Sequence, residues 1–343
     1  MALFLGLLIF SFIFTSILVV PFINFLYKIR FLRKKQVTRD FLGRRTPIFD
    51  KFNKHKVGTP VGGGLLIIAV VAILYALLLP LINYLGAYVT FIYPIKEELN
   101  ILFFSFISFG MLGLYDDFKK FFGFKQTGFF GLRLRHKFAI QTILALICAL
   151  LLYQNLGIDF VHIPFFGVLK LRAWYIPFAA LTIISFANAF NITDGLDGLS
   201  SGLLMICLFA FWIISATILD TVLSVFLALW IGGLIAFLYF NIYPARVWLG
   251  DVGALSFGAT LAVVGLLLGK IMALVVIGGL FVVEVAMSLI QILAKKFLKR
   301  RVFSAAPLHL WLQNKGWEEP KIVIRAWLVG IMLAVFGLWL AVI

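Results

Sequence analysis

Stretches of about 18 or more mostly apolar residues recur along this chain, each long enough to cross a bilayer core as a helix. They read as ten spans, at about 3–27, 61–81, 99–115, 137–155, 174–190, 199–218, 221–240, 254–269, 271–294 and 323–342. The first lacks a basic leading segment and a small-residue cleavage site, so it is expected to be a retained span rather than a signal peptide. The turns near Asp220 and Lys270 are short. No repeat, low-complexity tract or long linker interrupts the series, so one domain is expected over 1–343. Between the fourth and fifth spans, segment 156–173 has apolar runs broken by His162, Pro164 and Gly167, which predicts a small β-hairpin. The predicted fold is all-α: a polytopic membrane protein of about ten transmembrane helices, with one hairpin outside the bilayer.

Composition agrees. A hydrophobic share of 63% and a mean hydropathy of +1.10 exceed what a soluble domain carries. Charge then orients the chain. Of 30 Lys and Arg residues, 26 fall in the stretches 28–58, 116–137, 241–253 and 295–325, leaving Lys96, Lys170, Arg172 and Lys270 opposite. The positive-inside rule makes the basic side cytoplasmic and puts both termini and the hairpin outside. The net charge of +16 therefore needs no nucleic-acid partner; topology and anionic lipid headgroups account for it. Cys148 and Cys207 fall inside spans, where they read as small apolar residues without metal-ligand or disulfide spacing.

Acidic residues are scarce, fourteen in all. Five lie at cytoplasmic span ends: Asp116 and Asp117 in LYDDFKK, Asp194 and Asp197 in NITDGLDGLS, and Asp251 in WLGDVGALS. Asp194 and Asp251 each sit where a helix is about to start, so each alone reads as an N-cap. The adjacent pair resists that reading, because neighbouring carboxylates repel and only one can cap. Charges so near hydrocarbon are costly unless paired or used. The pair therefore implies a cation, either a divalent metal or Lys119 and Lys120. Asn188, Asn191, Asp194 and Asp197 step by three, which on a helical turn keeps them near one face. Hard oxygen donors among many lysines suit Mg2+ with phosphate. His309, in the 303–317 loop on the same side, is a candidate phosphate or metal neighbour. Glu284, within the ninth span, reads as a buried, hydrogen-bonded carboxyl packing two helices, and His162 lies on the wrong side for this chemistry.

The stretches LYDDFKK, NAFNITDGLDGLS, FNIYPARVWLGDVGALSFGA and APLHLWLQNKGWEEPKIVIRAW, in this order, resemble the polyprenyl-phosphate N-acetylhexosamine-1-phosphate transferases. The similarity runs over nearly the whole chain and is strongest to the phospho-N-acetylmuramoyl-pentapeptide-transferase branch, mainly through KGWEEPKIVIR. HKVGTPVGGG and GLRLRHKF resemble further motifs of that branch. The resemblance implies a ten-helix bacterial plasma-membrane enzyme with its active site on the cytoplasmic face. It would use Mg2+ to transfer phospho-N-acetylmuramoyl-pentapeptide from a UDP-linked donor to undecaprenyl phosphate, giving lipid I and UMP in peptidoglycan biosynthesis. The implied partners are those two substrates and membrane lipids, with room for a homodimer.

By the same resemblance, Asp116 and Asp117 match paired catalytic and metal-binding aspartates, with Asp116 a proposed base. Asp251 matches a magnesium ligand. Asn191 and Asp194 match polar residues beside the reacting phosphates, and His309 the first of a catalytic histidine run. Lys56, Asp197, Asn241 and Trp248 match positions lining a nucleoside pocket, where Trp248 would stack on uracil. Lys120 and Lys137 match basic substrate-binding positions. The base and covalent-nucleophile roles for an aspartate both remain open. The chain departs from the branch at His309-Leu310-Trp311, where three histidines are usual, and at Val61-Gly62, where Thr-Met is usual. A transferase of UDP-N-acetylglucosamine or a related UDP-sugar is therefore the alternative. A secondary transporter fits less well, since the acids gather at one face rather than at mid-membrane. The topology is testable: cysteines introduced at Lys51, Lys125 and Lys315 should escape an impermeant label added to intact cells, and labelling at any two would reverse the orientation.

Overall fold

The computed structural model describes residues 1–33, 50, 52, 56–85, 89–122, 132 and 134–343, though not the side chains of Asn83 and Phe121. Lys51 and Lys125, and most of the basic stretch 28–58, lie outside the described residues. Among those described, nine helices are long and apolar enough to cross a membrane, and a bent pair brings the candidate spans to ten when it is counted as one.

In chain order the spans are α1 (Ala2–Lys28), α2 (Gly63–Tyr84), α3 (Ile95–Phe122), α4 (Leu134–Gln154), α5 (Tyr175–Thr193), α6 (Leu199–Thr217), α7 (Thr221–Asn241) and α8 (Gly250–Leu267). The bent pair α9 (Ile271–Ile277) and α10 (Gly279–Leu293), the short helix α11 (Leu308–Asn314) and the final span α12 (Glu319–Val342) follow. Several helices outrun their expected spans. α3 runs from Ile95 rather than 99 and to Phe122 rather than 115, because hydropathy marks only the apolar part of a helix whose charged ends stay helical. Glu97 and Glu98 in the first turn and Lys119 and Lys120 in the last suit the helix dipole.

The span expected at 271–294 is broken, with a bend of 78° between its halves. The break falls at Gly278-Gly279, a glycine pair of the kind that kinks helices. A methyl at Gly278 would meet the Phe186 ring at 2.7 Å, so this corner also depends on the missing side chain. The predicted hairpin is present: β1 (Phe160–Ile163) pairs antiparallel with β2 (Gly167–Lys170), His162 facing Val168. Both cysteines are free and buried.

α7 and α8 form the centre and are almost wholly buried, while α1, α4 and α12 keep most of their surface outward. In a bilayer, helices associate through close packing and interhelical hydrogen bonds rather than water exclusion. The α8 sequence GDVGALSFGATLAVVGLL supplies small residues on every side. Against α2, a methyl at Gly64 would fall 2.3 Å from the Gly253 Cα; against α5, one at Gly258 would fall 2.4 Å from the Phe186 carbonyl oxygen. Against α3, one at Gly113 would fall 2.1 Å from the Asp251 carbonyl oxygen. Ser256 adds a hydrogen bond from its Oγ to the Phe106 carbonyl at 2.6 Å. Deeper in, Phe106 lies edge-on to Trp230 and Phe226 at centroid distances of 5.0 and 5.4 Å and stacks on Phe257 at 5.7 Å, tying α3, α7 and α8 together.

The contact at Gly113 is backbone on backbone, so no side chain can move to relieve an added methyl. Gly113→Ala should cost about 3 kcal/mol, the upper part of the usual overpacking range, and lower the Tm in detergent. Gly6→Ala, where a methyl meets nothing within 4 Å, serves as the control. An unchanged Tm for Gly113→Ala would show that this approach does not hold the bundle together.

Candidate active site

At the end of the bundle away from the hairpin, α3, α4 and α8 bring five charged side chains together. Asp116 and Asp117, both buried, sit in the last turns of α3. Lys120, one turn on, folds back so that its Nζ lies 3.3 Å from Asp116 Oδ2 and 3.7 Å from Asp117 Oδ1. The same Nζ lies 2.8 Å from Asp251 Oδ2. Lys137, in the first turn of α4, donates to Asp116 Oδ2 at 2.9 Å and also to Asp251. Backbone groups complete the set: Leu132 N donates to Asp116 Oδ1 at 2.6 Å, and Val252 N to Asp117 Oδ2 at 3.1 Å. Lys119 takes no part in this ion-pair set; its ammonium lies over the Tyr115 ring.

Asp251 does not cap α8. It lies in the helix's first turn, and the α8 amide at Val252 is satisfied by Asp117 from the neighbouring helix. Gly250 makes this possible with φ +76° and with no side chain, since a methyl there would sit 2.6 Å from Asp117 Oδ2.

A second cluster lies beside the first. Asp197, in the α5–α6 turn, accepts from Trp248 Nε1 at 3.2 Å and from Ala245 N at 2.9 Å, and pairs with Lys56 at 2.9 Å. Lys56 is buried and also donates to Glu319 Oε1 at 2.5 Å. The same oxygen accepts from Asp197 N at 2.6 Å. Among the described residues, Arg33 and Lys56 meet the Trp248 ring, at 5.0 Å and 5.4 Å from its centroid, a cation–π arrangement. Burial lowers the Arg33 pKa to about 10, against the pull of Asp50, Asp194 and Asp251.

Asp194 connects the two. It is the C-cap of α5, not an N-cap of α6, whose cap is Gly198. Its Oδ1 accepts from Ser200 Oγ at 2.5 Å. Burial pushes its carboxyl up to about 6 against that hydrogen bond; Asp251 and Asp197 add to the rise and Lys56 opposes it, so Asp194 feels the charges of both clusters. The three-residue stepping from Asn188 holds only as far as α5 does. Asn188 and the half-buried Asn191 are on the helix, Asp194 ends it, and Asp197 turns into the second cluster. Asn188 Nδ2 donates to Gln141 Oε1 at 3.0 Å.

Two expected residues stand apart from the charge clusters. Asn241 is buried, accepting from Ser201 Oγ at 2.5 Å and donating to the Val247 carbonyl at 3.0 Å, which braces the loop that carries Trp248. His309 is also buried, its Nε2 against Gly195, where a methyl would come within 2.5 Å. Glu284 holds it there. The carboxylate accepts from Leu308 N at 2.8 Å and His309 N at 3.1 Å. His309 Nδ1 lies 3.2 Å from the same group, within ion-pair range but out of line for an N–H hydrogen bond. Glu284 is thus the buried, hydrogen-bonded carboxyl that its place in the span implied, with the histidine's helix as its partner. Leu310 is buried and Trp311 half-buried beneath Lys315.

Sequence reading missed Glu319 and Arg33. Glu319 lay in KGWEEPKIVIR with nothing to distinguish it from Glu318, and Arg33 was one of eleven basic residues in a single loop. Among the described residues no group of three His, Cys, Asp or Glu side chains stands in metal-ligand spacing; the three carboxylates are turned onto two ammoniums. The donor type, hard oxygens from three carboxylates, is nonetheless the kind Mg2+ takes.

Comparison with known proteins places this geometry. Residues 99–269 match the family model described as Glycosyl transferase family 4. A protein named phospho-N-acetylmuramoyl-pentapeptide-transferase from Chloroflexus aggregans is 38% identical over 303 residues, covering 84% of this chain and 78% of its own. Proteins of the same name from Caldanaerobacter subterraneus and Rickettsia prowazekii are each 34% identical, covering 91% and 83% of this chain and 90% and 80% of their own. With its membrane-spanning helices, this chain belongs to glycosyl transferase family 4 as a multi-pass membrane transferase.

Proposed function

We propose that the chain transfers phospho-N-acetylmuramoyl-pentapeptide from its UDP-linked donor to undecaprenyl phosphate, producing lipid I and UMP in the bacterial plasma membrane. The observation that carries this reading is the convergence of Asp116, Asp117 and Asp251 on Lys120 and Lys137 beside the Lys56–Asp197–Trp248 arrangement. The names of the related proteins favour the same donor.

The reaction sets anion against anion. An oxygen of the lipid phosphate attacks the sugar-side phosphorus of the donor diphosphate. The bond from that phosphorus to the bridging oxygen breaks, and UMP leaves carrying that oxygen. Catalysis of such a step is mostly positioning and charge neutralisation. Asp116, Asp117 and Asp251 would hold Mg2+, which supplies the Lewis-acid charge for the diphosphate. Lys120 and Lys137 bring two further positive charges to the same point and can turn from carboxylate to phosphate. Asp116, hydrogen-bonded to Lys137, is the carboxylate proposed to take a proton from the lipid phosphate. Trp248 offers a flat face for the uracil, flanked by Arg33 and Lys56. Glu319 fixes Lys56 and the Asp197 backbone, so it acts on that pocket through those two residues.

A donor panel tests the reading: purified protein with undecaprenyl phosphate and Mg2+ should release UMP from the muramoyl-pentapeptide donor. Release only from UDP-N-acetylglucosamine or a related UDP-sugar would replace the proposed specificity with that of the other branch. In the same assay Asp251→Asn, which keeps size and removes charge, should lower the rate about a hundredfold or more while the protein stays folded in detergent. An unchanged rate at limiting Mg2+ would make Asp251 structural.

His309 and its neighbours separate in the same way. His309→Ala should depress turnover by about a hundredfold, as loss of a group that meets the substrate phosphate would. Histidines placed together at Leu310 and Trp311 should change it little, because consecutive helical side chains point in different directions. A switch of preferred UDP-sugar in the double variant would make 310–311 a specificity element.

A further inference from the structure

We propose that the β1–β2 hairpin is a membrane-interface anchor: its Pro164-Phe165-Phe166 tip seats at the boundary of headgroups and acyl chains in the leaflet on the hairpin side. The partner is the phospholipid bilayer itself.

The first observation is the turn. Phe166 N donates to the Ile163 carbonyl at 3.1 Å, with Pro164 and Phe165 between. Phe165 has φ +69°. Proline followed by a positive-φ residue is the pattern of a type II turn, whose third position favours glycine or asparagine. A bulky aromatic in that slot is strained, and Gly167, next but one, already has φ +86°. The strain has no packing return within the hairpin, since Phe165 and Phe166 are 72% and 88% exposed. All four residues of β2 are exposed as well. β1 by contrast packs on the bundle, with Val161 buried, so the uncovered apolar surface is confined to β2 and the tip.

The second observation gives the height of the tip. Trp339 lies twenty residues along α12 from Glu319, about 30 Å at 1.5 Å per residue, which is the thickness of a bilayer core. Trp339 stacks on Phe336 at 5.4 Å, and both present half their surface outward from the bundle. The Phe165 ring lies 6.2 Å from that of Trp339. The hairpin tip therefore continues the lipid-facing aromatic surface of a spanning helix at interface level. Trp174, 77% exposed, stands just ahead of α5. Lys170 and Arg172, both exposed, add the basic groups that accompany such aromatics near headgroups.

Site-directed spin labelling in phosphatidylcholine–phosphatidylglycerol nanodiscs tests the placement. Cys148 and Cys207 are buried, so the unsubstituted protein gives the labelling blank. A nitroxide at Phe166→Cys should collide more with oxygen than with a water-soluble nickel chelate, and one at Lys170→Cys should show the smaller ratio. Dominance of the nickel chelate at position 166 would put the tip in water and overturn the proposal. Low collision with both reagents would overturn it too, by showing the tip packed against protein, such as a second copy of the chain. Size-exclusion in detergent checks folding, and Phe165→Cys gives the same readout should the Phe166 variant not fold.

Discussion

Close approach of backbone to backbone between α3 and α8 is the contact on which the site depends. It places Asp116 and Asp117 beside Asp251, three carboxylates that repel one another near hydrocarbon. Two lysines, one from α3 and one from α4, offset that repulsion. Removal of one partner from a buried charge set leaves the other uncompensated, which is far costlier than the net worth of the pair. The small side chains of α8 and the charges at its end therefore form one arrangement: glycine brings the helices together, and the lysines make their proximity tolerable.

Much of this was legible in the sequence, because two signals in membrane proteins are strong. Long apolar runs locate helices, since only helices and closed barrels satisfy their backbone in lipid. Acids at span ends are scarce enough to stand out, and Asp116, Asp117 and Asp251 do meet as their positions at one face suggested. The break at Gly278 was hidden because hydropathy is blind to direction; the residues on either side are equally apolar, and the ring that leaves no room for a side chain there, Phe186, lies far away in the chain on α5. Spacing also misled at Asp194 and Asp197, because a step of three means one face only while the helix lasts, and α5 ends at Thr193.

Glu284 and Glu319 show what a sequence conceals most completely. Each uses its carboxylate on a segment far along the chain, Glu284 on the start of α11 and Glu319 on Lys56 and Asp197. A buried carboxylate needs such partners, yet nothing local to either residue names them. Asn241 is the converse case. The resemblance gives it a place in the nucleoside pocket, and the fold adds a bracing role the sequence did not show, its amide bonded to Ser201 and Val247.

Asp194 carries a thermodynamic consequence. Its carboxyl is displaced upward to about 6, mainly by burial, from a value near 4 in an unfolded chain. The folded state therefore holds this proton more tightly than the unfolded state does. Whatever stability the protonated side chain contributes is fully present below about pH 4 and is lost as pH rises through about 6. At neutral pH the ionised group works against folding, so this position is maintained at a cost to the fold. A cation or a hydrogen-bonding partner that favoured the ionised form would offset that cost.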